Sequence, residues 1–361
     1  MCCYITLEAC SVSSMVRVSI GNYFMKSRIS NVPKHDSFTN NFVGVIDLKT
    51  RDNEIPCRIY YPATDKASVI DNYHNIGSNS ANVGWFVHSF AHFIEGYMHF
   101  LLPKWKHSAI LFSILSGIAW LFSWIIPHAN AHLPQCVRNA RPAPLSGASG
   151  QRRPLIFYSH GLTGSGEEHG LMFTHWAQRG YIVASIQHCD GSSCKVHRSD
   201  GEHIYYDGPD MKNYDSNFRP NQVQRREEEL QELRRFILEE KGSDTSFLDD
   251  LRDTIDASNI VVAGFSYGAA TAALSVAKHP SDYTACMLLD GWFFIELSGV
   301  KFDFPAEAHE KGLSIPALFI GSEQFANYTG LAEATNRLAA HNSHPKGSVS
   351  HVLEKSRHQN F

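Results

Sequence analysis

The five residues Gly264-Phe265-Ser266-Tyr267-Gly268 constrain the fold more tightly than any other stretch of the chain. They follow an apolar run, Asn259 to Ala263, that reads as a strand, and they precede small residues, Ala269 to Val276, that read as a helix. A strand that passes so abruptly into a helix must turn sharply. Glycines on either side of the serine let backbones approach where a side chain would collide. The serine is thereby pressed into the open, and the first amides of the new helix aim at the place where negative charge would develop on a substrate oxygen.

Composition fits an α/β protein built around such a turn. At 361 residues, 43% hydrophobic and 19% charged, the chain can bury a large core as one enlarged α/β domain or two smaller ones. A formal charge of -4 leaves no broad basic face, so nucleic acid is not an expected partner. Cys2, Cys3, Cys10, Cys57, Cys136, Cys189, Cys194 and Cys286 follow no short repeated spacing, and free thiols in a reducing compartment are the expectation.

Residues 1–40 read as an extension, rich in Ser and Asn, with Arg17, Lys26 and Arg28 against Glu8 and Asp36. A disordered tail is expected; its bias is also compatible with an organellar transit peptide, and Cys2 and Cys3 with acylation. From residue 41 to 361 a single α/β domain is expected. It opens with a β-hairpin, Val43 to Ile46 and Cys57 to Pro62, placed at the antiparallel edge of a larger sheet, where Pro62 needs no ladder donor.

An apolar helical insertion is expected at about 80–130. Within it Ser108 to Ile126 runs nineteen residues without a charge and is stopped by Pro127. As a helix it would be about 28 Å long, close to the hydrocarbon thickness of a bilayer. Trp105, Trp120 and Trp124 favour membrane interfaces. Ser113, Ser116, Gly117 and Ser123 dilute the run, and a span there would part the hairpin from the elbow. A buried or lipid-surface helix is therefore expected, with a single span as the alternative. His88, His92 and His99 have helical spacing, but no zincin glutamate accompanies them, so packing roles and no metal are expected.

Beyond a loop rich in Pro, Gly, Ser and Arg, Pro154 to Leu162 reads as a buried parallel strand ending in a glycine turn. Thr163 to Gly170 is glycine-rich but has the spacing of neither a phosphate loop nor a dinucleotide fingerprint, so no cofactor is expected. A helix from about Glu168 to Gln178 leads to the strand Tyr181 to Ile186, a right-handed crossover. Gln222 to Glu240 reads as an amphipathic helix, with Val223, Leu230, Leu233 and Ile237 inward, solvated charges outward and Arg225 placed to meet Glu229. Strands follow at Thr284 to Leu289, Ile315 to Ile320 and Val349 to Glu354.

Asp290 ends the first of these strands, and His358 stands just past the last. The order Ser266, Asp290, His358 is that of an α/β-hydrolase triad, so the expected fold is α/β-hydrolase: a mostly parallel sheet, helices on both faces, the hairpin at one edge. The serine needs a base, and the imidazole needs a carboxylate to hold its tautomer. His351 is the runner-up base, but it belongs to the strand itself.

Ser159-His160-Gly161-Leu162, the elbow, Leu289-Asp290-Gly291-Trp292-Phe293-Phe294, Ile320 to Phe325 and His358-Gln359-Asn360-Phe361 together resemble the platelet-activating factor acetylhydrolases of the plasma and type II intracellular kind, from about Val43 onward. The resemblance implies Ser266 as nucleophile, His358 as base, Asp290 as its orienter and the amides of Leu162 and Tyr267 as the oxyanion hole. It also implies calcium-independent removal of short or oxidised acyl groups from the middle glycerol carbon of phospholipids, at a lipid surface. The elbow carries Phe265 where this family usually has histidine. Relatives continue with a helix past the His-Gln-Asn-Phe block, whereas this sequence ends at Phe361; without that helix, open apolar sheet surface and a loosely held His358 are expected. A general carboxylesterase or dienelactone-type hydrolase, and a non-catalytic lipid-surface protein, are the alternative readings. The expected location is cytoplasmic or peripheral to a membrane, with no obligate protein partner.

Overall fold

The computed structural model describes residues 42–64, 82–88, 90–101, 131–145, 152–209, 215–240, 246–297 and 300–361, with eight helical positions between 110 and 121. The extension 1–40 and most of Ser108 to Ile126 lie outside the described residues.

The strands are β1 (Phe42–Lys49), β2 (Pro56–Ala63), β3 (Asn82–Gly84), β4 (His132–Arg138), β5 (Arg153–Ser159), β6 (Ile182–Ile186), β7 (Lys195–His197), β8 (His203–Tyr205), β9 (Ile255–Phe265), β10 (Ala285–Leu289), β11 (Phe294–Leu297), β12 (Val300–Asp303), β13 (Ala317–Ser322) and β14 (Ser348–Leu353). Ten of them form one sheet in the order β14-β13-β10-β9-β5-β6-β2-β1-β4-β3, while β7–β8 and β11–β12 are separate hairpins. From β14 to β6 every pairing is parallel; the β1–β2 hairpin joins antiparallel through β2 and β6. The hairpin was expected at the edge and is not there: β1 pairs in parallel with β4, and β3 beyond it is the last strand of the sheet. Pairing of β2 with β6 runs from Cys57 to Tyr60 only, so Pro62 lies past the ladder that would have needed its donor.

The helices are α1 (Phe90–Leu101), α2 (Gly170–Gln178), α3 (Phe218–Leu238), α4 (Ser246–Arg252), α5 (Tyr267–Lys278), α6 (Ala306–Lys311), α7 (Glu323–Ala326) and α8 (Thr329–Ala340). Alternation along β5 shows how the two sides are built. Leu155 and Phe157 enter the larger core, with α3 and α5, while Ile156 and Tyr158 enter a smaller one with Phe173 of α2. Because both faces are buried, these strands read as continuous apolar runs. Ala269, Ala270, Ala272 and Ala273 of α5 are fully buried, and their small side chains let the helix lie close under the central strands.

The stripe expected on α3 is buried, but its charges are not all solvated. Arg219, Arg226, Glu227 and Glu232 are buried as well, because α3 is covered both by α5 and by the segment after β6. Arg225 is exposed, and Glu229 turns away from it to the ring of His188. Along the smaller core, a groove of about 1000 Å³ lies beside Met172, Trp176, Val261, Met287, Leu318 and Phe361. His358 itself is firmly packed, only 7% exposed.

Candidate active site

Three strand ends on one rim of the sheet carry the site. β9 leads into Ser266, β10 into Asp290, and β14 into the 3-10 turn His358–Asn360. Ser266 has φ 54° and ψ -116°, a conformation that costs on the order of 1–3 kcal/mol and persists only where surroundings enforce it. The enforcement is visible. Its amide donates to Leu289 O at 2.8 Å, and its carbonyl accepts from Trp292 N at 3.1 Å. A Cβ on Gly264 would lie 2.1 Å from Gly268 O, and one on Gly268 would lie 2.0 Å from Ser159 O, so both positions admit only glycine.

His358 Nε2 lies 2.9 Å from Ser266 Oγ, and its Nδ1 lies 2.6 Å from Asp290 Oδ2. All three are buried, Ser266 to 4%, Asp290 to 2% and His358 to 7% exposure. The expected triad is therefore brought together. His351 lies on β14 with an exposed side chain, and it pairs in register with Ile320 rather than joining the site.

Residues that sequence reasoning did not assign complete the arrangement. Ser322 donates to Asp290 twice, from its amide to Oδ1 at 2.6 Å and from its hydroxyl to Oδ2 at 2.7 Å, and it caps α7 by accepting from Phe325 N. With His358 the carboxylate accepts three hydrogen bonds. The imidazole is sandwiched between Phe325 at 4.0 Å and Phe265 at 4.6 Å, and the His358 amide donates to Gln324 Oε1 at 3.0 Å. Phe265, at the position expected to differ from the family, thus forms one wall of the base. The block Ile320 to Phe325 was the available signal for Ser322, Gln324 and Phe325.

Leu162 lies in the turn after β5, and Tyr267 is the first residue of α5, directly after Ser266. A Cβ built on Gly161 would be 3.4 Å from Ser266 Cβ, so the turn passes beside the serine. The turn is fastened from behind. His160 Nδ1 donates to Gly161 O at 2.7 Å and Thr163 N to Ser192 O at 2.7 Å, while Arg226 donates to His160 O. Burial, followed by the Arg226 charge, holds the His160 imidazole well below its ordinary pKa, so the ring is neutral.

Among the described residues no three His, Cys, Asp or Glu side chains are arranged to hold a metal ion. His88 and His92 pack against His197 and His203, and His99 stacks on Tyr205 at 3.8 Å. Cys57, Cys136, Cys189, Cys194 and Cys286 are free thiols.

The family model described as platelet-activating factor acetylhydrolase, isoform II, matches residues 102–361. The chain belongs to that family. Among curated relatives, it is 26% identical over 230 residues to a platelet-activating factor acetylhydrolase of Canis lupus familiaris, covering 59% of this chain and 49% of the relative. It is 24% identical over 285 residues to that of Bos taurus, covering 74% of this chain and 54% of the relative. The chain spans about half the length of the curated relatives it matches. A ferulic acid esterase from Streptomyces cinnamoneus aligns with TM-score 0.52 at 19% identity, over 88% of this chain and 74% of that one, which shows a shared fold. The sheet order, the elbow and the family together make this an α/β-hydrolase.

Proposed function

We propose that the protein is a serine esterase that removes the short or oxidised acyl group from the middle glycerol carbon of phospholipids such as platelet-activating factor. The observation that carries this reading is the unbroken hydrogen-bonded line from Ser266 Oγ through His358 to Asp290, at 2.9 and 2.6 Å, in a chain of this family. His358 Nε2 takes the Ser266 proton as Oγ attacks the ester carbonyl. Nδ1–H donates to Asp290, which balances the imidazolium charge. The amides of Leu162 and Tyr267 hold the tetrahedral oxyanion, each contributing on the order of a hundred- to a thousandfold in rate. His358 returns its proton to the departing lysolipid oxygen, then activates the water that frees the acid from Ser266. No step calls on a metal.

Contact with a lipid surface through about Ser108 to Ile126 is part of the same reading. Its support is that the described helical positions Ile110, Ile114, Ile118, Trp120 and Leu121 carry exposed side chains, from 40% to 76%. Among the described residues no helix is long and apolar enough to cross a membrane.

The test is hydrolysis of acetylated against long-chain phosphatidylcholines, with and without chelator, beside a soluble nitrophenyl ester. Preference for the acetylated lipid, unaffected by chelator, is the expected result. Turnover of the nitrophenyl ester alone would replace this reading with a general carboxylesterase, and vesicle binding without any turnover would leave a lipid-surface protein.

A further inference from the structure

Behind the turn that carries Leu162 lies a buried guanidinium that the mechanism above does not use. Arg226, on α3, is fully buried. It donates to His160 O, to Ser159 Oγ at 3.2 Å and to Ser192 Oγ at 3.1 Å, all uncharged oxygens. Its central carbon lies 5.0 Å from the centre of the Tyr267 ring. One planar group therefore touches both chain segments from which the oxyanion amides come, the His160 to Leu162 turn on one side and the first residue of α5 on the other.

Burial disfavours its charge, and the nearest opposite charge, Asp190, acts on it only across Ser192. Among the described residues no carboxylate lies within ion-pair distance of Arg226. Asp190 is one hydrogen bond removed, through Ser192 Oγ at 2.5 Å. Glu229 is removed by two, through His188 and Ser159. Burial pushes the Glu229 carboxyl well above the usual range, and burial then Arg226 hold the His188 imidazole well below its own, so burial favours the neutral form of each. Arg219, the other cation near Tyr267, sits over the same ring at 5.7 Å.

We infer that Arg226 is a positioning residue for oxyanion stabilisation, its guanidinium setting the spacing of the Leu162 and Tyr267 amides and placing a buried positive charge behind them. The fork geometry matters, because one group must reach two hydroxyls and a carbonyl while standing over a ring, which a lysine cannot do. This inference rests on Ser266 being the nucleophile.

The experiment compares Arg226→Met and Arg226→Lys with the unaltered protein. Three readouts are taken: kcat and KM on a short-chain phospholipid, affinity for a trifluoromethyl ketone that forms a tetrahedral oxyanion on Ser266, and affinity for a non-hydrolysable ether lipid. In Arg226→Met, kcat and ketone affinity should each fall ten- to a hundredfold, with KM and ether-lipid affinity within about threefold. Arg226→Lys should lose nearly as much, despite keeping the charge. Ketone affinity unchanged in either folded variant would overturn the inference and leave Arg226 a packing residue. Should Arg226→Met fail to fold, as its altered melting would reveal, Arg226→Lys and Ser192→Ala decide by the same ketone-to-ether ratio. If the unaltered protein binds no ketone, the esterase reading fails instead, and the two failures are distinct.

Discussion

Two serine–histidine–carboxylate lines run through this molecule, and their distances are the same. Ser266 Oγ to His358 Nε2 is 2.9 Å and His358 Nδ1 to Asp290 is 2.6 Å. Ser159 Oγ to His188 Nε2 is 2.9 Å and His188 Nδ1 to Glu229 is 2.6 Å. Separation within a triad therefore does not make a nucleophile. Ser266 stands on a turn at φ 54°, with a helix N-terminus beginning at the next residue. Ser159 is the last residue of β5, still paired in the sheet and fully buried, and its oxygen already accepts from Arg226. Asp290 is held by two donors from Ser322, whereas Glu229 is pushed toward its neutral form. One line is an acyl-transfer apparatus in the proposed reading; the other is a brace for the turn beside it.

Deleting each serine in turn separates the two lines most strongly. Ser266→Ala should abolish labelling by a fluorophosphonate and lower kcat on the order of a millionfold. Ser159→Ala should still label stoichiometrically, although more slowly, because only a support of Arg226 is lost. Labelling that survives in Ser266→Ala but vanishes in Ser159→Ala would reverse the assignment.

The carboxylates come next. Asp290→Asn leaves the imidazole with a donor where it needs an acceptor, so kcat should fall on the order of ten-thousandfold with KM little changed. Glu229→Gln keeps a hydrogen bond to His188 and replaces a neutral carboxyl by a neutral amide, so kcat should stay within about threefold. Comparable losses from both substitutions would mean that the buried line carries protons too.

That contrast also marks how far the sequence could be read. The elbow, Asp290 and His358 were legible because each is a local signal, a glycine turn or a polar residue just past an apolar strand, and chain order joined them. The continuous apolar runs marked the parallel strands for the same reason. The second line was not legible. On α3 the helical i,i+4 rule pairs Arg225 with Glu229, a contact worth a few tenths of a kcal/mol at a surface. The fold instead offers Glu229 a buried imidazole from the segment after β6, and that neighbour is invisible in one dimension. A helix this rich in charge reads as solvated, although Arg219, Arg226, Glu227 and Glu232 are buried. The block Ile320 to Phe325 pointed to Ser322 and Gln324, but what they hold was hidden likewise, because Asp290 and the His358 amide lie more than thirty residues away.

Where the two lines meet, one glycine separates them. A Cβ on Gly268 would lie 2.0 Å from Ser159 O and 2.6 Å from His160 O, all backbone contacts that cannot swing aside. Gly268→Ala should therefore destabilise the fold by about 3 kcal/mol, the upper part of the range for overpacking, and should lower activity through both the elbow and the turn. Thermal melting and labelling rate measured together check this. A melting temperature unchanged from the unaltered protein would show that β5 and α5 can part without loss.

The smallest expected effect is the pH dependence of the brace. Glu229 has its folded pKa raised by burial, so the folded state holds that proton more tightly than the unfolded chain does. Its contribution to stability is complete below the ordinary glutamate value of about 4.3 and is lost as pH rises through the raised folded value. Glu229→Gln cannot titrate, so the difference in melting temperature between the two proteins should shift in favour of the glutamine form as pH climbs through that window. The sign is what matters. A Glu229→Gln protein whose melting advantage instead grew toward low pH would mean that Glu229 is ionised and paired with a protonated His188, and the line behind the oxyanion turn would then be a charged one.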